Sequence, residues 1–145
     1  MNCLRYAPGS AMTKVQWKLR SDSDYRSIII NSAHGYRAGR KEGSKHNNMG
    51  DMFSWCEADI IVRGHSHSLF MVPGPVRLGP NPTMTKLVKK QTFYGQSGSY
   101  LKTIDVSDYP CYAEKAEYPP LPMGNAQVHV HIENEGLTLS PFVQM

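Results

Sequence analysis

Cysteine is scarce in this sequence, with three residues among 145. Their number is odd, their spacing is wide and no Cys-x-x-Cys pair occurs, so the sequence indicates neither a disulfide framework nor a zinc knuckle. Long apolar runs are also missing. Nothing near the amino terminus has the apolar core of a secretory signal, and no window approaches the roughly 20 apolar residues of a membrane-spanning helix. We therefore expect a soluble, cytoplasmic protein without a membrane partner.

What the chain does contain is a pair of histidines behind a short apolar run. The run Ala58-Asp59-Ile60-Ile61-Val62-Arg63 is typical of a strand buried on both faces, and Gly64-His65-Ser66-His67 follows it directly. In an extended segment, residues two positions apart point to the same side, roughly 6 to 7 Å from each other. Both imidazoles can then face one metal cluster, although a solvated polar turn explains this tetrapeptide equally well.

A third histidine has an equivalent position earlier in the chain. The β-branched run that begins at Ser27 ends at His34-Gly35. The segment 37–55 between the two runs is long enough for a crossover helix, with Ser44 as its N-cap. Its apolar stripe at helical spacing consists of Met49, Met52, Phe53 and Cys56. In a βαβ unit the carboxyl ends of the parallel strands share one edge, so we expect His34, His65 and His67 to converge there as metal ligands.

These residues resemble the carboxyl-terminal half of calcineurin-like metallophosphoesterases, in which one strand ends in His-Gly, a helix follows, and a second strand ends in Gly-His-x-His. The resemblance implies that His34 and His65 bind one ion of a dinuclear pair and that His67 binds the other, which makes all three catalytic. It implies a divalent metal (Mn, Fe, Ni, Zn or Mg) and a phosphoester substrate. Residues 93–100 look like the glycine-serine strand of the family, and Tyr112–Lys115 looks most like phage and bacterial members, which places the protein in bacterial or phage-infected cytoplasm.

The carboxylate motifs of that family are missing from the sequence. No Asp-x-His, Gly-Asp-x-x-Asp or Gly-Asn-His-Glu/Asp occurs, and Gly50-Asp51-Met52-Phe53-Ser54 has Ser54 where the second aspartate belongs. Asp59 starts its strand, some 15 Å from the histidine edge at about 3.3 Å per residue. Asp105 and Asp108 reach that edge only if their loop folds back. Because adjacent divalent ions repel without a bridging carboxylate, we expect weak metal binding.

Basic residues follow His34, although the net charge of +4 is modest. Arg37 and Arg40 are the candidate substrate-binding residues; Lys45 belongs to the same stretch, and Arg63 precedes the second histidine motif. A basic rim attracts phosphate, although a solvated loop accounts for these charges equally well. No aromatic-basic repeat or groove-reading helix occurs, so we expect nucleic acid only as a substrate.

The rest of the chain favours strands. We predict them at 15–19, beside the Ser27 strand, and at 69–72, 76–78 and 86–95, followed by a hairpin of 126–132 and 137–143. The hairpin carries His129 and His131, which simple strand alternation explains. The predicted fold is α/β: a partial metallophosphoesterase-type sandwich with a βαβ unit followed by mainly antiparallel strands, in a single domain of residues 1–145.

Two functions remain open at this stage. The first is metal-dependent hydrolysis of phosphomonoesters or phosphodiesters, which requires a complementing amino-terminal half from another chain or a longer parent. The second is that of a catalytically inactive remnant that acts as a binding or regulatory module. The missing carboxylates predict low activity for the isolated chain under either interpretation.

Overall fold

The computed structural model describes residues 2–7, 9–18, 25–35, 41–80, 84–99, 109–115, 117, 123–133 and 136–144. Its secondary structure consists of β1 (Asn2–Ala7), β2 (Ser10–Trp17), β3 (Arg26–Ala33), α1 (Glu42–Gly50), β4 (Ile60–Arg63), β5 (Leu69–Pro73), β6 (Arg77–Pro80), β7 (Leu87–Lys90), β8 (Phe93–Ser97), α2 (Tyr112–Lys115), β9 (Asn125–Glu133) and β10 (Gly136–Gln144). The protein is thus mixed α/β, with strands predominating. No helix in these ranges is long and apolar enough to span a membrane.

One mixed sheet is the largest of the three sheets that the structure describes. Six strands lie in the order β1-β2-β3-β4-β8-β5, while β6 pairs with β7 and β9 pairs with β10 in separate two-stranded ribbons. The central strands β3, β4 and β8 are parallel, and the outer pairings are antiparallel. The predicted βαβ unit is therefore confirmed as β3-α1-β4, and so is the carboxyl-terminal hairpin.

The predicted apolar stripe lies against the sheet. Met49, Phe53 and Cys56 are buried in a core that also contains Ile61 and Phe70, while Met52 packs against it. Burial raises the pKa of the Cys56 thiol, and the nearby arginines Arg63 and Arg77 oppose that shift. Cys56 is therefore a neutral core residue, as its place in the stripe predicts.

Three local predictions are corrected by the structure. The N-cap of α1 is Lys41 rather than Ser44, whose own N–H already bonds to the Lys41 carbonyl within the first turn. The strand predicted at 15–19 begins at Ser10 and pairs with β3 along its full length. The strand predicted at 86–95 is divided into β7 and β8, because Thr92 leaves the ribbon and hydrogen-bonds Gly74 and Pro75 instead.

A buried carboxylate joins the amino ends of the three parallel strands. Asp59, which precedes β4, accepts a hydrogen bond from the Ile29 N–H through Oδ2 at 2.8 Å. Its Oδ1 lies 2.6 Å from the Lys90 ammonium. Its backbone also bonds to Ile29 and to Phe93, at 2.8 Å in each case. Asp59 thus connects neighbouring strands at the end of β4 opposite to the histidines. This agrees with the predicted position of Asp59 at the start of its strand.

Candidate functional site

The carboxyl ends of β3 and β4 bring two of the predicted histidines together. Ala33 is paired with Arg63 in the parallel register, so His34 and Gly64-His65 come next at the same edge. His34 Nε2 lies 3.1 Å from His65 Nδ1, and the two rings meet edge to face with centroids 5.0 Å apart. One ring must donate the proton of this hydrogen bond, and the other must accept it. Both side chains are exposed and can reach a ligand.

A glycine permits this close approach. Gly35 has a φ of +99°, and a Cβ on it would lie 2.8 Å from the Gly64 carbonyl oxygen. A larger residue would therefore separate the two loops as well as strain its own backbone. The His-Gly order that the sequence analysis singled out is thus a structural requirement of the His34–His65 contact.

The third histidine, His67, does not form with His34 and His65 the group of three ligands for a metal ion that the sequence had predicted. His65 and His67 have φ values of 68° and 57°, a region that is uncommon for residues other than glycine. The prediction of an extended segment is therefore wrong beyond Arg63, where β4 ends, and spacing alone does not direct His67. The His67 Nδ1 lies 2.9 Å from Ser99 Oγ.

Two buried serines, one between and one after His65 and His67, attach the histidine loop (residues 64–68) to the rest of the fold. Ser66 is buried and its hydroxyl donates to Gln96 Oε1 on β8. Ser68 is also buried and accepts a hydrogen bond from the Lys45 ammonium of α1 at 2.5 Å. The histidine loop is therefore fixed to both the sheet and the helix.

The structure supplies part of a metal site. A zinc ion binds imidazole nitrogen at about 2.0–2.1 Å, so two such ligands at a tetrahedral angle are roughly 3.4 Å apart. The 3.1 Å between His34 and His65 fits two ligands of one ion. Within the ranges the structure describes, no three His, Cys, Asp or Glu side chains are close enough to hold a metal. Arg37, Arg40, Asp105 and Asp108 lie outside the described residues.

A cleft of about 630 Å³ lies at this edge of the sheet and is lined by both histidines. Two of its lining residues, Lys45 and Arg63, are cations that are each 8% exposed. Arg63 donates to the Val62 carbonyl at 2.8 Å and to the carbonyl and side-chain oxygens of Asn31, all of which are neutral. The described lining contains no aspartate or glutamate. The described part of the lining thus carries two cationic side chains and no carboxylate.

The positive charge of Arg63 is largely removed from water, which disfavours the charged form. Burial lowers the pKa of its guanidinium, with Cys56 opposing the shift, but arginine is basic enough to keep its proton at neutral pH. Because a buried guanidinium is best compensated by a bidentate anion, phosphate is a suitable ligand. Arg63 and Lys45 are recognisable in the sequence as basic residues, but the spacing favours Arg37 and Arg40 as substrate-binding residues, because burial is not visible in a spacing pattern.

Replacing Arg63 with methionine is expected to weaken binding of inorganic phosphate at least tenfold without unfolding the protein. The change leaves Asn31 Oδ1 without this donor, at a cost of about 1–3 kcal/mol, but it also removes a buried charge, which offsets that cost. Titration calorimetry and urea denaturation measure the two effects. Arg77→Met is the matched control, because Arg77 also donates to backbone carbonyls but does not line the cleft. Equal phosphate binding by both variants would contradict the assignment.

No family model, curated protein or solved structure matches this chain. Function is therefore inferred from the residues of the cleft.

Proposed function

We propose that this edge of the sheet carries out metal-dependent hydrolysis of phosphomonoesters or phosphodiesters, with a complementing amino-terminal half completing the site. One observation carries the proposal: His34 and His65 meet at 3.1 Å where two parallel strands end. Open α/β sheets place their ligand sites at such an edge. The resemblance of the two histidine motifs to calcineurin-like metallophosphoesterases supports the same chemistry.

The histidines and the two buried cations have distinct roles in this proposal. His34 and His65 would hold one divalent ion, of Mn, Fe, Ni, Zn or Mg, through Nε2 and Nδ1. When bound, such an ion lowers the pKa of a water molecule and polarises the phosphoryl group. Lys45 and Arg63 would neutralise the phosphate oxygens and orient them. His67 remains the candidate ligand of a second ion, and its contact with Ser99 is of the kind that orients a ligating imidazole.

The second candidate is a module that binds a phosphate-bearing ligand without hydrolysing it. It is favoured by a specific observation: the part of the chain that the structure describes offers a cationic cleft but neither a third metal ligand nor a lining carboxylate. Such a site would bind phosphate through Lys45 and Arg63 in the absence of metal.

A complementation assay separates these two functions. The chain alone with Mn²⁺ and bis(p-nitrophenyl) phosphate is expected to show little or no turnover, because the bridging carboxylate is missing. Adding a polypeptide that carries Asp-x-His, Gly-Asp-x-x-Asp and Gly-Asn-His motifs should raise turnover at least 100-fold, and EDTA should remove it. Phosphate binding that persists while every mixture stays inactive would instead identify the binding module.

A further inference from the structure

An exposed tryptophan lines the same cleft as the buried cations. Trp55 follows a 3-10 turn (Asp51–Ser54) at the end of α1, and 70% of its surface is exposed. Its backbone is fixed by a hydrogen bond from its N–H to the Met52 carbonyl at 3.2 Å and by the burial of the next residue, Cys56. The fold therefore presents a large flat ring beside the cleft without using it in the core.

The cleft thus offers two chemically different surfaces. Lys45 and Arg63 provide buried positive charge, whereas Trp55 and the half-buried Met52 provide an apolar, aromatic surface. A volume of about 630 Å³ is that of a pocket for one small organic ligand. An inorganic anion could contact the cations but would leave the ring of Trp55 exposed.

We infer that the ligand of this cleft is a nucleotide, with its phosphate on Lys45 and Arg63 and its nucleobase stacked on Trp55. The inference rests on the proposed function, since it names the substrate class of that site. Every nucleobase has a flat face that stacks on an aromatic side chain, and its edge can hydrogen-bond an amide such as that of Asn48, which is exposed in the same lining. A sugar phosphate has the charge but lacks the planar ring.

Three commercially available ligands separate these contributions: AMP, ribose 5-phosphate and adenosine. In titration calorimetry with EDTA present, AMP should bind at least tenfold more tightly than either of the others. Trp55→Ala should lower AMP affinity roughly tenfold, to the level of ribose 5-phosphate, because a stacked base contributes about that factor. Trp55→Phe should retain most of the affinity.

Two controls make the result specific. Tyr25→Ala removes another exposed aromatic ring, which is 67% exposed and precedes β3 at the end away from the cleft, and it should leave AMP binding unchanged. Thermal melting should show that the Trp55 variants fold, as expected for an exposed side chain. A 5′-phosphorylated trinucleotide tests whether the ligand is a free nucleotide or the end of a nucleic-acid strand. Tighter binding of the trinucleotide than of AMP would indicate a nucleic-acid end. Binding of either ligand that depends on Trp55 supports the inference.

The outcomes that overturn the inference differ from those that overturn hydrolysis. Equal affinity for AMP and ribose 5-phosphate, or unchanged AMP affinity in Trp55→Ala, would refute nucleobase stacking and leave the phosphate site in place. Trp55-dependent AMP binding without turnover in the complemented assay would refute hydrolysis alone. A chain that binds none of the three ligands would refute the nucleotide site, whereas hydrolysis is tested by the complemented assay with Mn²⁺.

Discussion

Replacing His65 with alanine is expected to reduce the activity of the complemented protein roughly 100-fold or more. Loss of even an outer partner of a metal ligand costs 10- to 100-fold in many sites, and His65 is proposed as a direct ligand that also contacts His34 at 3.1 Å. Initial rates with bis(p-nitrophenyl) phosphate, at several Mn²⁺ concentrations, measure the loss. A ligand role predicts that added Mn²⁺ restores part of the rate.

Two further variants control this experiment. His65 has a φ of 68°, so alanine also strains the backbone; His65→Asn tolerates that conformation better and should fold normally while remaining inactive. His129→Ala should keep full activity. The rings of His129 and His131 are 6.4 Å apart and both residues are exposed, and Val130 between them is exposed as well, so the predicted alternation of burial is not seen at these positions. Activity that survives both His65 changes would place the site elsewhere.

Replacing Asp59 with alanine is expected to lower the free energy of unfolding by roughly 2–4 kcal/mol. The change removes the side-chain acceptor of the part-buried hydrogen bond from the Ile29 N–H. The ion pair with Lys90 contributes less, because 52% of the Lys90 side chain is exposed and solvent screens it. Urea denaturation measures the loss.

Asp59→Asn and Lys90→Met distinguish the hydrogen bond of Asp59 to Ile29 from its ion pair with Lys90. Asp59→Asn retains an oxygen that can accept from Ile29 and should cost less than Asp59→Ala. Lys90→Met removes only the ion pair and should change the unfolding free energy by less than about 1 kcal/mol. If Lys90→Met proves as damaging as Asp59→Ala, the ion pair rather than the buried hydrogen bond stabilises this end of the sheet.

Hydrophobic periodicity was sufficient to predict the local architecture around the site. The two apolar runs that end in histidine form β3 and β4, the stripe through Phe53 packs on the sheet, and the alternating segment near the carboxyl terminus forms a hairpin. The placement of β8 beside β4, with β5 at the edge, was not predicted. Strand order depends on contacts between residues distant in sequence, which a local pattern does not encode.

The site was predicted less completely than the fold, for two physical reasons. Spacing predicts where a side chain points only if the backbone is regular, and the left-handed conformation of His65 and His67 breaks that condition. Composition, in turn, cannot distinguish a solvated cation from a buried one. Arg63 and Lys45 were thus visible as charges in the sequence, but their desolvation, which makes them candidates for binding phosphate, follows from tertiary packing.

The two ends of the short strand β4 have different structural roles. At its amino end Asp59 joins neighbouring strands, and at its carboxyl end the chain enters the histidine loop. Substitutions in that loop can therefore change the side chains that line the cleft while the hydrogen bonds of Asp59 stay intact. The surface of the cleft and the joining of the strands thus depend on different residues at the two ends of one short segment.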